Sequence, residues 1–112
     1  MNIWKKLRHA LKGTPAPRLP DFFICGAARS GTTSMWEYLR QHPDIFMPTV
    51  FGWKEPSFYC DLYGVKDRAF YLSLFAEAGN KKMVGEASTP YLSSPESAGR
   101  IHAELPHARI II

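Results

Sequence analysis

One segment, Gly26-Ala27-Ala28-Arg29-Ser30-Gly31-Thr32-Thr33, constrains this chain more than any other. It follows Phe22-Phe23-Ile24-Cys25, a short apolar run that suits a strand buried on both faces of a parallel sheet. It runs into a predicted helix over Thr32 to Gln41, with Met35, Trp36 and Leu39 on one face, which His42-Pro43 stops. Strand, glycine loop and helix in that order aim backbone N–H groups and a helix N-terminus at one spot, and both favour an oxyanion. The glycines permit close backbone approach. The hydroxyls of Ser30, Thr32, Thr33 and Ser34 add donors, and Arg29 adds a permanent positive charge.

The rest of the chain supplies a sheet for that loop to sit on. Residues 44–66 hold Pro48, Gly52, Pro56 and Gly64 among many aromatics and read as irregular. A loop of that length in a compact domain is more often functional than filler. Asp67 to Ala78 reads as the clearest helix, with Phe70, Tyr71, Leu74, Phe75 and Ala78 on one side and Gly79-Asn80 ending it. Lys82 to Ala87 reads as a strand. A third helix starts at Ser93 or Ser94, with Pro95 in its first turn and Ser93-x-x-Glu96 at capping-box spacing. Ala108 to Ile112 reads as a third strand. This order implies an α/β fold: a P-loop-like parallel sheet flanked by helices, cut off after the third predicted strand.

The G-x4-G spacing matches a nucleoside-triphosphate phosphate loop, but the residue after the second glycine is Thr32, not Lys. Without the Lys that holds the β- and γ-phosphates, ordinary ATP or GTP hydrolysis is disfavoured. A kinase-like nucleotide-binding protein with an altered loop stays open as an alternative. So does a non-catalytic fragment or interaction module of the same fold.

Charge separates the chain into two parts. Lys5, Lys6, Arg8, Lys12 and Arg18 are the only charges in residues 1–20, whereas the remainder carries nine basic and ten acidic side chains. The overall +4 therefore belongs to a basic arm, which makes weak membrane-surface contact an option and gives no specific nucleic-acid signal. Ile3, Trp4, Leu7, Ala10 and Leu11 are interleaved with cations, which suits a short amphipathic helix and not a secretory apolar stretch. Gly13, Pro15, Pro17 and Pro20 form a linker. No run is long and apolar enough to span a membrane. With no export signal, the expected location is cytoplasmic and Cys25 and Cys60 are expected as free thiols. The chain shows no metal-ligand spacing.

The segment "PDFFICGAARSGTTSMWEYLRQHPDIFMP" resembles the opening of the sulfotransferase family that uses 3′-phosphoadenosine 5′-phosphosulfate, whose 5′-phosphosulfate loop reads roughly G-x-x-[KR]-[SA]-G-T-[TS] before a helix ending in H-P. Lys54-Glu55-Pro56-Ser57-Phe58-Tyr59 resembles the K-E-P-x-F-[FY] segment of the branch holding heparan sulfate sulfotransferases and many bacterial relatives. Gly85-Glu86-Ala87-Ser88-Thr89-Pro90-Tyr91 resembles its later G-E-x-[ST]-P-x-Y segment. Several glycan-modifying members carry Lys where this chain has Ala87, which weakens the carry-over of sulfated-glycan specificity.

The resemblance implies roles. Arg29 would contact the phosphosulfate, and Ser30, Gly31, Thr32, Thr33 and Ser34 would hold the 5′-phosphate. Glu55 would be the general base, and Lys54 would add positive charge near the donor or orient the acceptor. The implied donor is 3′-phosphoadenosine 5′-phosphosulfate, with no metal, and the acceptor is a hydroxyl or amine of a saccharide, lipid or small molecule. The implied organisation is a basic arm and Pro-rich linker over 1–20, then the N-terminal portion of a sulfotransferase domain over 21–112. In the family the 3′-phosphate site follows a strand like Arg109–Ile112. The expectation for these residues alone is therefore weak donor binding, an unpaired sheet edge and little or no turnover.

Overall fold

The computed structural model describes residues 18–27, 31–62 and 64–112. The amphipathic helix expected near the N-terminus, Arg29, Ser30 and Tyr63 lie outside the described residues. Among the described residues four parallel strands form the sheet: β1 (Phe22–Ile24), β2 (Ile45–Phe46), β3 (Met83–Ala87) and β4 (Arg109–Ile111), in the order β2-β3-β1-β4. The α/β reading therefore holds with one strand added. β2 falls inside the stretch expected to be irregular; two half-buried residues show no periodicity, and their pairing with Met83 and Val84 makes the strand.

Helices cover both faces of the sheet. On one, Phe22, Ile24 and Ala87 meet Trp36 of α1 (Thr32–Arg40) together with Met47. On the other, Phe23 and Val84 meet Tyr71 of α2 (Arg68–Ser73), Tyr91 of α3 (Pro90–Ser93) and Ile101 of α4 (Pro95–Glu104). Alternate side chains of β1 thus enter opposite cores, as a strand with helices on both sides requires. β4 forms one edge, and its three residues are exposed.

Two helix ends depart from expectation. The helix expected over 67–78 is regular only through Ser73. Leu74, Phe75, Ala76 and Ala78 each donate to the residue three positions back, a tighter winding that still buries Phe75 and Ala78. Asp67 caps its start by accepting from the N–H groups of Ala69 and Phe70 at 2.8 and 3.3 Å. The expected capping box does not form. Ser93 Oγ donates to the Pro90 carbonyl, Ser94 Oγ meets Cys60 Sγ at 3.0 Å, and Glu96 accepts the Asp61 N–H at 2.9 Å. Ser93 is held within α3 and Glu96 by the distant Asp61, so the two do not pair, and Pro95 begins α4 after the short α3.

Gly85 shows how tightly the sheet meets its cover. It pairs with Phe22 in register, and a Cβ there would fall inside the Phe22 ring. Gly85→Ala is expected to cost about 1–3 kcal/mol by overpacking, read as a lower urea midpoint with unchanged slope.

Candidate functional site

The chain path opens a crevice at the carboxyl end of β1. From β1 the connection runs to β2 and β3 on one side, and then from β3 across to β4 on the other. In open parallel sheets, ligands bind where successive connections leave in opposite directions. The residues after β1 and after β3 meet there. Glu55 joins them because its N–H donates to the Ala87 carbonyl at 2.9 Å, at the end of β3.

The result is a cavity of about 430 Å3 lined by Gly31, Thr32, Thr33 and Ser34 from one side and by Trp53, Lys54, Glu55 and Thr89 from the other. Gly31 precedes α1 with φ +83°, a conformation that favours glycine, and among the described residues no side chain caps the helix. Among the described residues no side chain accepts from the first-turn N–H groups of this nine-residue helix, whose first residues line the cavity.

Lys54 is only 6 % exposed, and its Nζ donates to Thr32 Oγ1 at 3.0 Å. The same Nζ lies 3.5 Å from Glu55 Oε1, and Thr89 Oγ1 donates to that oxygen at 2.6 Å. Adjacent residues in extended chain point apart, but Glu55 has φ +76°. That turn lets two neighbours line one cavity, at a cost of order 1–3 kcal/mol for a non-glycine residue. The pair is not a solvated surface ion pair: the ammonium is buried and the carboxylate is 31 % exposed.

Six of the residues singled out from sequence thus come together: Gly31, Thr32, Thr33, Ser34, Lys54 and Glu55. Arg29 and Ser30 lie outside the described residues. Thr89 was not assigned a role from sequence, although it stands in the quoted segment beside Ser88; its hydroxyl was the available signal. The aromatics of 46–63 divide. Phe58 and Tyr59 are core, Trp53 lines the cavity 5.7 Å from the Trp36 ring, and Phe51 is 96 % exposed at a turn.

Other candidates fall away from the cavity. His42 Nδ1 accepts the Asp44 N–H at 3.0 Å, a turn-stabilising contact after α1. Cys25 and Cys60 are buried, and burial, reinforced by Glu86, pushes the Cys25 thiol up to about 11, which suppresses the thiolate. Cys25 also borders an apolar cavity of about 310 Å3 between α4 and β4, which has no converging charges. Glu86 is fully buried on the α2 side of β3 and does not line the site. Among the described residues no group of three potential metal ligands occurs, and no helix is long and apolar enough to cross a membrane.

Known proteins resemble this chain in sequence and in fold. A solved sulfotransferase from Alicyclobacillus acidocaldarius superposes with a TM-score of 0.76 and 37% identity, over 83% of this chain and 43% of that one. The chain is a sulfotransferase relative. It is 32% identical over 95 residues to the membrane-associated sulfotransferase kil1 of Dictyostelium discoideum, covering 84% of this chain and 20% of that protein. It is likewise 32% identical over 95 residues to human heparan sulfate glucosamine 3-O-sulfotransferase 6, covering 85% and 26% respectively. No family model matches. The chain therefore spans roughly a fifth to a quarter of these curated sulfotransferases and under half of the bacterial one.

Proposed function

We propose that this chain forms the donor-binding and proton-accepting part of a sulfuryl-transfer site. The observation that carries the reading is the single cavity in which the uncapped start of α1, Lys54 and Glu55 meet. The donor would be 3′-phosphoadenosine 5′-phosphosulfate. Its 5′-phosphosulfate group suits free N–H groups, hydroxyls and a buried ammonium, all of them donors.

In that reading Gly31, Thr32, Thr33 and Ser34, with Ser30, hold the 5′-phosphate, and Arg29 neutralises the bridging oxygen as its bond to sulfur breaks. Lys54, fixed by Thr32, adds positive charge to the same region. Glu55 takes the proton of the acceptor hydroxyl or amine as the acceptor atom bonds to sulfur, and adenosine 3′,5′-bisphosphate leaves. Thr89 orients the Glu55 carboxylate. Saccharide acceptors are supported by the heparan sulfate relatives, and a lipid or small hydroxylated molecule fits the same chemistry. The buried Cys25 and Cys60 thiols fit the expected cytoplasmic location.

Calorimetry with adenosine 3′,5′-bisphosphate tests the reading. Binding without magnesium is expected, and Lys54→Met should weaken it by about tenfold or more, the scale of one charge-assisted hydrogen bond. Binding of ATP alone, dependent on magnesium, would instead favour the altered phosphate-loop alternative.

A further inference from the structure

Glu86 occupies a place where an ionisable side chain is costly, wholly removed from solvent on β3. Its carboxyl accepts hydrogen bonds from Ser88 Oγ at 2.5 Å, from Tyr91 OH at 3.1 Å and from the Tyr71 hydroxyl. Two of these donors have a second task. Ser88 Oγ accepts the Ser57 N–H at 2.9 Å, and Tyr91 OH accepts the Tyr59 N–H at 3.2 Å. A hydroxyl carries one proton, so while that proton points at Glu86 its lone pairs are free for the backbone.

Ser57 follows directly on Lys54-Glu55-Pro56, and Tyr59 comes two residues later. Both Glu55 and Ser57 hold positive φ, +76° and +51°, so the segment needs outside hydrogen bonds to persist. We propose that Glu86 is a positioning residue for Glu55: its carboxylate orients the Ser88 and Tyr91 hydroxyls, which grip the Ser57 and Tyr59 amides and so fix the turn presenting Lys54 and Glu55 to the cavity. The purpose of that turn rests on the sulfuryl-transfer reading; the relay itself does not.

The titratable groups facing Glu86 are Tyr71 from α2, Tyr91 from α3, Tyr59 from the loop and Cys25 beyond β1, all acids whose burial pushes them up. Burial raises Glu86 itself to about 7, against the pull of its three hydroxyl partners, so it changes charge before they do. Protonation gives Glu86 a donor where three donors already point, which loosens the relay. The grip on Ser57 and Tyr59 is therefore tighter above pH 7 than below it.

Amide exchange of the full chain, without donor or acceptor and corrected for the intrinsic rate, reads this directly. Protection of Ser57 and Tyr59 should rise several-fold between pH 6 and pH 8, while that of the β1 amides does not rise. Ser88→Ala should lower Ser57 protection by roughly five- to tenfold, the scale of one hydrogen bond, leave Tyr59 nearly unchanged and move the Glu55 carboxyl 13C resonance. Ser88→Thr should restore all three. Protection that falls with rising pH in step with β1 overturns the relay, as does a Ser57 amide indifferent to Ser88→Ala. A Glu55 resonance unmoved by Ser88→Ala overturns the positioning role. No donor is present, so failure of nucleotide binding would count against the sulfuryl-transfer reading alone.

Discussion

Raising the pH from about 4.5 to about 7 lowers the unfolding free energy through Glu86, by on the order of 3 kcal/mol. The unfolded chain releases this proton near 4.5, the folded chain near 7, because the burial that β3 imposes disfavours the charged form. Between those values the unfolded state binds fewer protons than the native state, so stability falls as pH rises. The contribution is fully present below the lower value and gone above the higher one. Glu104 works in the opposite sense: hydrogen bonds from Arg68 and Tyr59 hold its carboxyl below the usual range, so acid removes what it adds. Urea titrations from pH 5 to pH 8 should therefore show a declining midpoint in the parent chain and a much flatter profile in Glu86→Gln. Equal slopes in the two proteins would show that Glu86 is not the group responsible.

Trp36→Ala is expected to cost about 3–5 kcal/mol, a large share of the stability of a small domain. The indole is 1 % exposed and is the largest side chain packed against Phe22, Ile24, Met47 and Ala87, so nothing nearby can fill its volume. The loss should reach the site as well, since Trp53, which lines the cavity, packs on Trp36 at 5.7 Å. Trp36→Phe retains part of the packing and should cost clearly less. Equilibrium unfolding followed by circular dichroism measures both; a change below about 1 kcal/mol for the alanine variant would mean that α1 does not depend on this contact.

What the sequence disclosed follows how local each signal is. Phe22 to Cys25, the glycine loop and the helix after it form one contiguous pattern, and the strand and helix appear where the periodicity puts them. Lys54 and Glu55 were legible as a short motif, but not the positive φ that turns both into one cavity, because nothing in the residue types demands it. β2 was hidden because two residues cannot show alternation and only the partner strand defines them. The Ser93–Glu96 pairing failed because Asp61 and Pro90 offer partners that residue spacing cannot reveal. Glu86 is legible as a polar residue near the end of a predicted strand, without a choice of partners. Its choice depends on Tyr71, Ser88 and Tyr91 converging from three elements.

The strand order has a consequence for how such a chain acquires its structure. β1 comes first among the strands in sequence yet lies inside the sheet, pairing Phe22 with Gly85 on one side and with Arg109 on the other. Both partners follow far down the chain, so closing these pairs carries the entropy of long loops before any ladder repays it. During synthesis the apolar Phe22–Ile24 segment must wait, exposed, until β3 and then β4 emerge. Pairing of β1 is thus expected to be slow relative to the local helices, and a stopped-flow refolding trace should show the slow phase of such long-range pairing.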